Sequence, residues 1–141
     1  MSDTEIATRL DVVIVPIGND FYAVPTSSVR EVVADLQTTR LPTAPDVFLG
    51  VFNLRGEVVP LFDTAALLGI GHLRDAGIAV VVATPSGPAG LVASGLPTVE
   101  VLDQPLGPSE MRATTGSFAV RGGVAVLIDL DELLEGTAVQ R

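Results

Sequence analysis

The chain alternates short β-branched runs with breaks rich in Gly, Pro and Asn, which is the pattern of a small all-β protein. Val12-Val13-Ile14-Val15-Pro16-Ile17 stops at the turn signal Gly18-Asn19-Asp20, and Phe21-Tyr22-Ala23-Val24 reads as the return strand of a hairpin. Pro25-Thr26-Ser27-Ser28 predicts a single helical turn. Val29-Arg30-Glu31-Val32-Val33 predicts a strand with Val29, Glu31 and Val33 on one face and Arg30 and Val32 on the other. Residues 38–48, with Pro42 and Pro45, read as a loop crossing the molecule.

The segment from Gly50 to Gly69 is the most strongly patterned. It predicts a strand near 50–54, a turn, a strand near 57–62 and a short helix near 64–68. Pro60 lacks a ladder donor, so its strand should lie at an edge or a bulge. Asp63 and Thr64 suit the helix N-cap, and Gly69 suits its end. After a linker at 69–77 the pattern restarts. Strands are predicted at 78–83, 89–93 and 98–102, a polar loop at 103–115, then Gly116 to Asp129 and the helix Leu130-Asp131-Glu132-Leu133-Leu134.

Shifting the sequence by 66 residues lays Gly50–Gly69 over residues 116–135 with nine identities, among them Gly50/Gly116, Phe52/Phe118, Arg55/Arg121, Gly56/Gly122 and Asp63/Asp129. A shift of 67 pairs the first hairpin with the second, including Ser27 with Ser94 and Val32 with Val99. Each unit therefore carries five short strands and a terminal helical turn, over about 12–69 and 78–135. Five strands in so short a span suit a small closed or half-closed barrel. The expected fold is mainly β, two duplicated barrels sharing an apolar seam within one domain at 12–135, with tails at 1–11 and 136–141.

Composition narrows the function. The net charge of −9 argues against nucleic acid, which needs clustered cations. All eight cations are arginines, scattered singly, a residue favoured at protein interfaces and also the product of a GC-rich genome. No run is long and apolar enough for a membrane helix, the first residues are acidic, and there is no cysteine, so a cytoplasmic protein is expected. A single histidine, His72, in a Gly-rich linker and no cysteine cannot build a usual zinc site, and no cofactor is expected. His72 reads as a solvated loop residue.

Two features could carry chemistry. Asp63 and Asp129 hold equivalent positions in the two units, as do the paired carboxylates of aspartic peptidases. The second lacks the Thr-Gly or Ser-Gly turn that would aim such a carboxylate, and both sit where a helix cap is wanted. Asn53-Leu54-Arg55-Gly56 is the other. Turn geometry explains Asn53 and Gly56 but not Arg55, whose guanidinium at a hairpin tip would project into solvent, free to pair a partner's carboxylate. Glu31, in a Val-rich strand, is a second candidate contact. The alternative for both is a surface charge of little energetic worth.

Taken together, the string Gly50-x-x-Asn53-Leu54-Arg55-Gly56-x-Val58-Val59-Pro60-Leu61-x-Asp63, with Val29-Arg30-Glu31-Val32 ahead of it, resembles the CheW-like domain of bacterial chemotaxis over roughly 12–135. The resemblance implies two five-stranded SH3-like barrels around a common core and a non-enzymatic adaptor. Its partners would be the regulatory domain of a CheA-type histidine kinase and the cytoplasmic tip of methyl-accepting receptors, with self-association in arrays. Arg55 and Glu31 would be contacts, Gly50, Asn53 and Gly56 would shape the loop, and Val29 and Val32 would line an apolar groove for the receptor's helical hairpin. The second half departs from the family at Val92-Ala93-Ser94-Gly95-Leu96, where an acidic string is usual. That leaves open a divergent relative serving a twitching or other non-flagellar pathway. An SH3-like module for proline-rich peptides is a further alternative, poorly served by a chain with no Trp and one Tyr.

Overall fold

Backbone pairing sorts the strands into two sheets, and each sheet takes strands from both repeats. The computed structural model describes residues 9–40, 46–74, 77–135 and 137. In the first repeat lie β1 (Leu10–Ile17), β2 (Asp20–Pro25), a 3-10 turn (Thr26–Ser28), β3 (Val29–Val33), β4 (Phe48–Leu54), β5 (Glu57–Phe62) and helix α1 (Thr64–Leu68). In the second lie β6 (Ile78–Thr84), β7 (Gly87–Ala93), β8 (Thr98–Leu102), β9 (Pro105–Pro108), β10 (Thr114–Val120), β11 (Gly123–Ile128) and helix α2 (Leu130–Leu134).

The leading hairpin of each repeat has changed places with the other. One sheet runs β8-β1-β2-β11-β10-β9 and the second β3-β6-β7-β5-β4. The exchange obeys the sequence shift residue by residue. Leu61 pairs with Gly90 where β5 meets β7 in parallel, and Leu127 pairs with Ala23 where β11 meets β2. Val32 faces Val80 as Val99 faces Val13. In the first of these sheets β8 curls back to meet β10. The fold is mainly β, with two SH3-like barrels, as expected.

The core follows the period of two that β-strands impose. Along β6, Val80 and Val82 point into the seam between the sheets, whereas Ala79 and Val81 point into the interior of their own barrel. The seam joins Val15, Tyr22 and Val24 to Phe62, Val80 and Leu91, and both helices add their paired leucines. Among the described residues it holds seventeen buried ones, against eight and five in the two barrel interiors, so most of their apolar burial belongs to neither half alone. At roughly 1.5–3 kcal/mol for each fully buried large aliphatic or aromatic side chain, that seam dominates stability.

Several expectations change in detail. The predicted polar loop at 103–115 contains β9, which pairs with β10 along Pro108–Gly116 and Gly107–Ser117. Pro60 does lie at a locally free edge. It faces Val51 on one side, and β7 joins the other side only from Leu61 onward, so no ladder bond is lost. In β3, Val29 does not share a face with Glu31 and Val33. A bulge at Arg30 makes Val29 pair with Val82 and Glu31 with Val81, which turns Val29 and Val32 to the seam side and Glu31 and Val33 to the barrel interior. Residues 41–45 of the crossing loop, 75–76 of the linker, and the tails at 1–8, 136 and 138–141 lie outside the described residues.

Candidate partner-binding surface

The β4–β5 hairpin turns through two residues, Arg55 and Gly56, both with positive φ (51° and 91°). That is the signature of the tight mirror-image turn whose twist matches the flanking strands. Gly56 adopts it freely, but Arg55 does so against its own Cβ. Asn53 supplies compensation, because its Oδ1 accepts the Gly56 N–H at 2.9 Å. In the second repeat Ala119 stands where Asn53 does and offers no such acceptor. There Gly122 has φ of 90° while Arg121 is not among the described non-glycine residues with positive φ.

The strained turn aims Arg55 at the edge strand β3. Its guanidinium grips Glu31 with both nitrogens, Nη1 to Oε1 at 3.1 Å and Nη2 to Oε2. A second pair lies beside it, Arg30 Nη1 to Glu57 Oε1 at 3.4 Å. The Arg55 hydrogen bonds hold the Glu31 carboxyl below its usual range, against a partial desolvation that raises it. The same bonds raise Arg55. Arg55 is thus not a free cation at the tip, as its position in the turn suggests. It is half of an intramolecular clasp that fastens the β4–β5 tip to β3. Its outer face remains open, with 69% of the side chain exposed.

Arg30 and Glu57 are the residues that sequence reasoning missed. The signal was there in the repeat: Arg30, Glu31 and Glu57 become Pro97, Thr98 and Gly123, so three charges vanish together while Arg121 stays. Among the described residues Arg121 has no ion pair. The clasp belongs to the first barrel alone.

Of the other expected contacts, Val29 packs at the margin of the seam, and Val32 on the same side of β3 is 40% exposed. Gly50 does not shape the Asn53–Gly56 loop. It lies at a bulge in β4, and a Cβ there would stand 2.2 Å from the Thr39 carbonyl oxygen. Its absence lets residue 39 come alongside, where Thr39 and Val51 exchange two backbone hydrogen bonds of 2.8 and 3.0 Å.

Asp63 is fully buried. Its carboxylate accepts the Ala66 N–H at 3.1 Å as the cap of α1, and the Leu73 N–H at 3.0 Å on each oxygen. His72 is an exposed loop residue, as expected, with 51% of its side chain exposed, and its Nδ1 also lies 3.3 Å from Asp63 Oδ2. Asp129 caps α2 by accepting the Glu132 N–H at 3.2 Å. The two aspartates serve two helices, and neither is presented as half of a catalytic pair. Among the described residues no three of His, Asp and Glu gather to hold a metal, and no helix is long and apolar enough to cross a membrane.

The profile of the CheW-like domain matches residues 11–138. The chain belongs to the CheW-like domain family. Over 127 residues it is 28% identical to the chemotaxis protein CheW of Rhizobium meliloti, covering 83% of this chain and 82% of that protein. A more similar but shorter match, 43% over 54 residues, links it to the chemotaxis protein CheW of Helicobacter pylori, where it spans 38% of this chain and a third (33%) of the relative. The crystal structure of the scaffolding protein TtCheW from Thermoanaerobacter tengcongensis superposes with a TM-score of 0.75 at 23% identity, over 89% of this chain and 92% of that one. That likeness fixes the fold. CheW-like proteins are non-enzymatic scaffolds of chemotaxis, so the peptidase reading of Asp63 and Asp129 falls.

Proposed function

We propose that this CheW-like chain is an adaptor that couples methyl-accepting chemoreceptors to the regulatory domain of a CheA-type histidine kinase, in the cytoplasm and recruited to membrane-bound receptor arrays. The observation that carries the reading is the first barrel's β3 edge. The bulge at Arg30 puts Val29 and Val32 on one side, and the Arg55–Glu31 clasp closes the strand's other side. An apolar strip beside a fixed charged tip suits an amphipathic helix laid in a groove, its apolar positions on the valines and its polar flank on the clasp. Arg55, Glu31, Val29 and Val32 are the contacts on this reading. Asn53 and Gly56 hold the tip, and Gly50 holds the strand that bears it. Modest affinity for each partner suffices when receptors, kinase and adaptor assemble in arrays, since multivalency multiplies it.

Co-sedimentation with a cognate kinase regulatory domain and a receptor-tip fragment tests the reading. The parent chain should bring both partners down together, and Val32→Glu should lose the receptor fragment. Failure of the parent chain to bind either partner would sink the proposal.

A further inference from the structure

The place that the charge clasp holds on the first barrel is apolar on the second. The sequence shifts carry Val29 and Val32 onto Leu96 and Val99, and Arg30 onto Pro97. They carry Glu31 and Glu57 onto Thr98 and Gly123, so of the four clasp charges only the tip arginine is kept, as Arg121.

Pro97 also shortens the ladder. β3 begins pairing at Val29, which meets Val82 and packs at the margin of the seam. β8 begins pairing one residue after Pro97, at Thr98 opposite Ile14, because proline has no N–H to extend the ladder. Leu96 is thereby left 70% exposed. Val99 pairs with Val13, and since Val12, Ile14 and Leu102 fill the barrel interior, Val99 points away from it. It is 73% exposed, against 40% for its counterpart Val32.

Backbone and charge together say what such a strip can take. β8 is paired with β1 along one edge and turns the other against β10, so it offers no free ladder to an added strand. Docking there must use side chains, as an amphipathic helix does with apolar residues three or four apart. Arg121 tops the β10–β11 hairpin that β8 adjoins, and with Thr98 and Gly123 in place of the two acids it favours a carboxylate on the incoming helix. The two helices of the chain itself do not fit the part, because α1 and α2 bury their paired leucines.

We propose that the Leu96–Val99 strip docks an amphipathic helix of a partner protein, with two apolar residues one turn apart on Leu96 and Val99 and a carboxylate beside them paired with Arg121. This is a helix site on the opposite barrel from the β3 edge, and it stands independently of the adaptor reading.

An NMR titration of the full chain tests this with two synthetic alanine-based helical peptides. One carries two leucines four residues apart with a glutamate beside them, and its twin carries lysine in place of the glutamate. The glutamate peptide should shift the amides of Leu96, Val99 and Arg121 saturably, and the lysine peptide should bind at least about fivefold more weakly. Arg121→Glu should reverse that preference, and Val99→Ser should abolish the shifts. Both positions are exposed, so unchanged dispersion of the remaining amides will show that the variants fold. Equal affinity for the two peptides, saturable shifts only elsewhere, or none at all would overturn the proposal. So would shifts of the strip that grow with protein concentration in the absence of peptide, because it would then belong to a second copy.

Discussion

Arg55 and Glu31, 24 residues apart, meet in a two-pronged ion pair that fastens the β4–β5 hairpin tip to the edge strand β3. The turn that makes the meeting feasible places Arg55 at a φ of 51°, where few side chains sit without help. Asn53 gives that help.

If the pair matters because it shapes the β3 edge, reversing it should preserve function better than breaking it. Arg55→Glu alone should weaken binding to the kinase and receptor fragments about tenfold or more, with little change in thermal midpoint, since exposed pairs contribute little to stability. The exchange of both charges, Arg55→Glu with Glu31→Arg, should recover part of the binding in a double-mutant cycle. An exchanged variant no better than the single one would mean that Arg55 reads the partner itself, and the clasp would lose its proposed role.

The pair also sets a pH response. Folding lowers the Glu31 carboxyl below its ordinary 4.5, so the unfolded state binds the proton more readily. The stabilisation is therefore complete above that value and disappears as the pH falls through the lowered one. A side-chain carboxyl titration by NMR should give Glu31 a midpoint below 4.5 in the parent and a higher one in Arg55→Ala. Equal midpoints would show that the pair is open in solution.

The repeat supplies its own control for Gly50. A methyl group there meets the Thr39 carbonyl at 2.2 Å, whereas at Gly116 the nearest atom is the Gly107 oxygen at 3.3 Å. The positive φ of Gly50 adds strain that Gly116, where none is found, escapes. Gly50→Ala should cost about 2–4 kcal/mol in denaturant unfolding and Gly116→Ala about 1 kcal/mol or less. Similar costs would mean that residue 39 moves aside easily.

Asp63 and Asp129 separate in the same way. Asp63→Ala strands the Ala66 and Leu73 N–H groups in a buried setting and should cost about 2–4 kcal/mol. Asp129→Ala loses a half-buried cap and should cost about 1 kcal/mol. Chemical denaturation of both variants checks the ranking, and equal losses would refute the special standing of Asp63.

Much of this was legible in the residues. Short β-branched runs between turn residues marked the strands, Asp63-Thr64 and Gly69 marked a helix, and nine identities at one shift marked the duplication. What the pattern could not carry was partner choice. Nothing local says that Phe21-Tyr22-Ala23 lies beside Ala125-Val126-Leu127 of the other repeat, because register across 104 residues is set by the packed seam. The bulge at Arg30 was equally hidden, and a single extra residue moved Val29 to the opposite face from the one that strict alternation gives. Arg55 was recognised as needing an explanation, but its partner was found only when β3 and the hairpin tip were brought together. β9 escaped notice because Pro105 and Pro108 bracket it and leave little alternation to read.

The exchange of leading hairpins has a consequence for where such a chain comes from and how it must assemble. One repeat by itself would leave the sites beside β2 and β5 empty, yet two identical repeats could fill each other's gaps with the pairings seen at Leu61–Gly90 and Leu127–Ala23. This is the architecture of a strand-swapped homodimer whose two subunits have been spliced end to end, with the linker at 69–77 as the splice. Such a chain has all the strands of one barrel, β3 to β7, once residue 93 has been made, whereas the other must join β1 and β2 to β8–β11 and waits on contacts between the two ends of the chain.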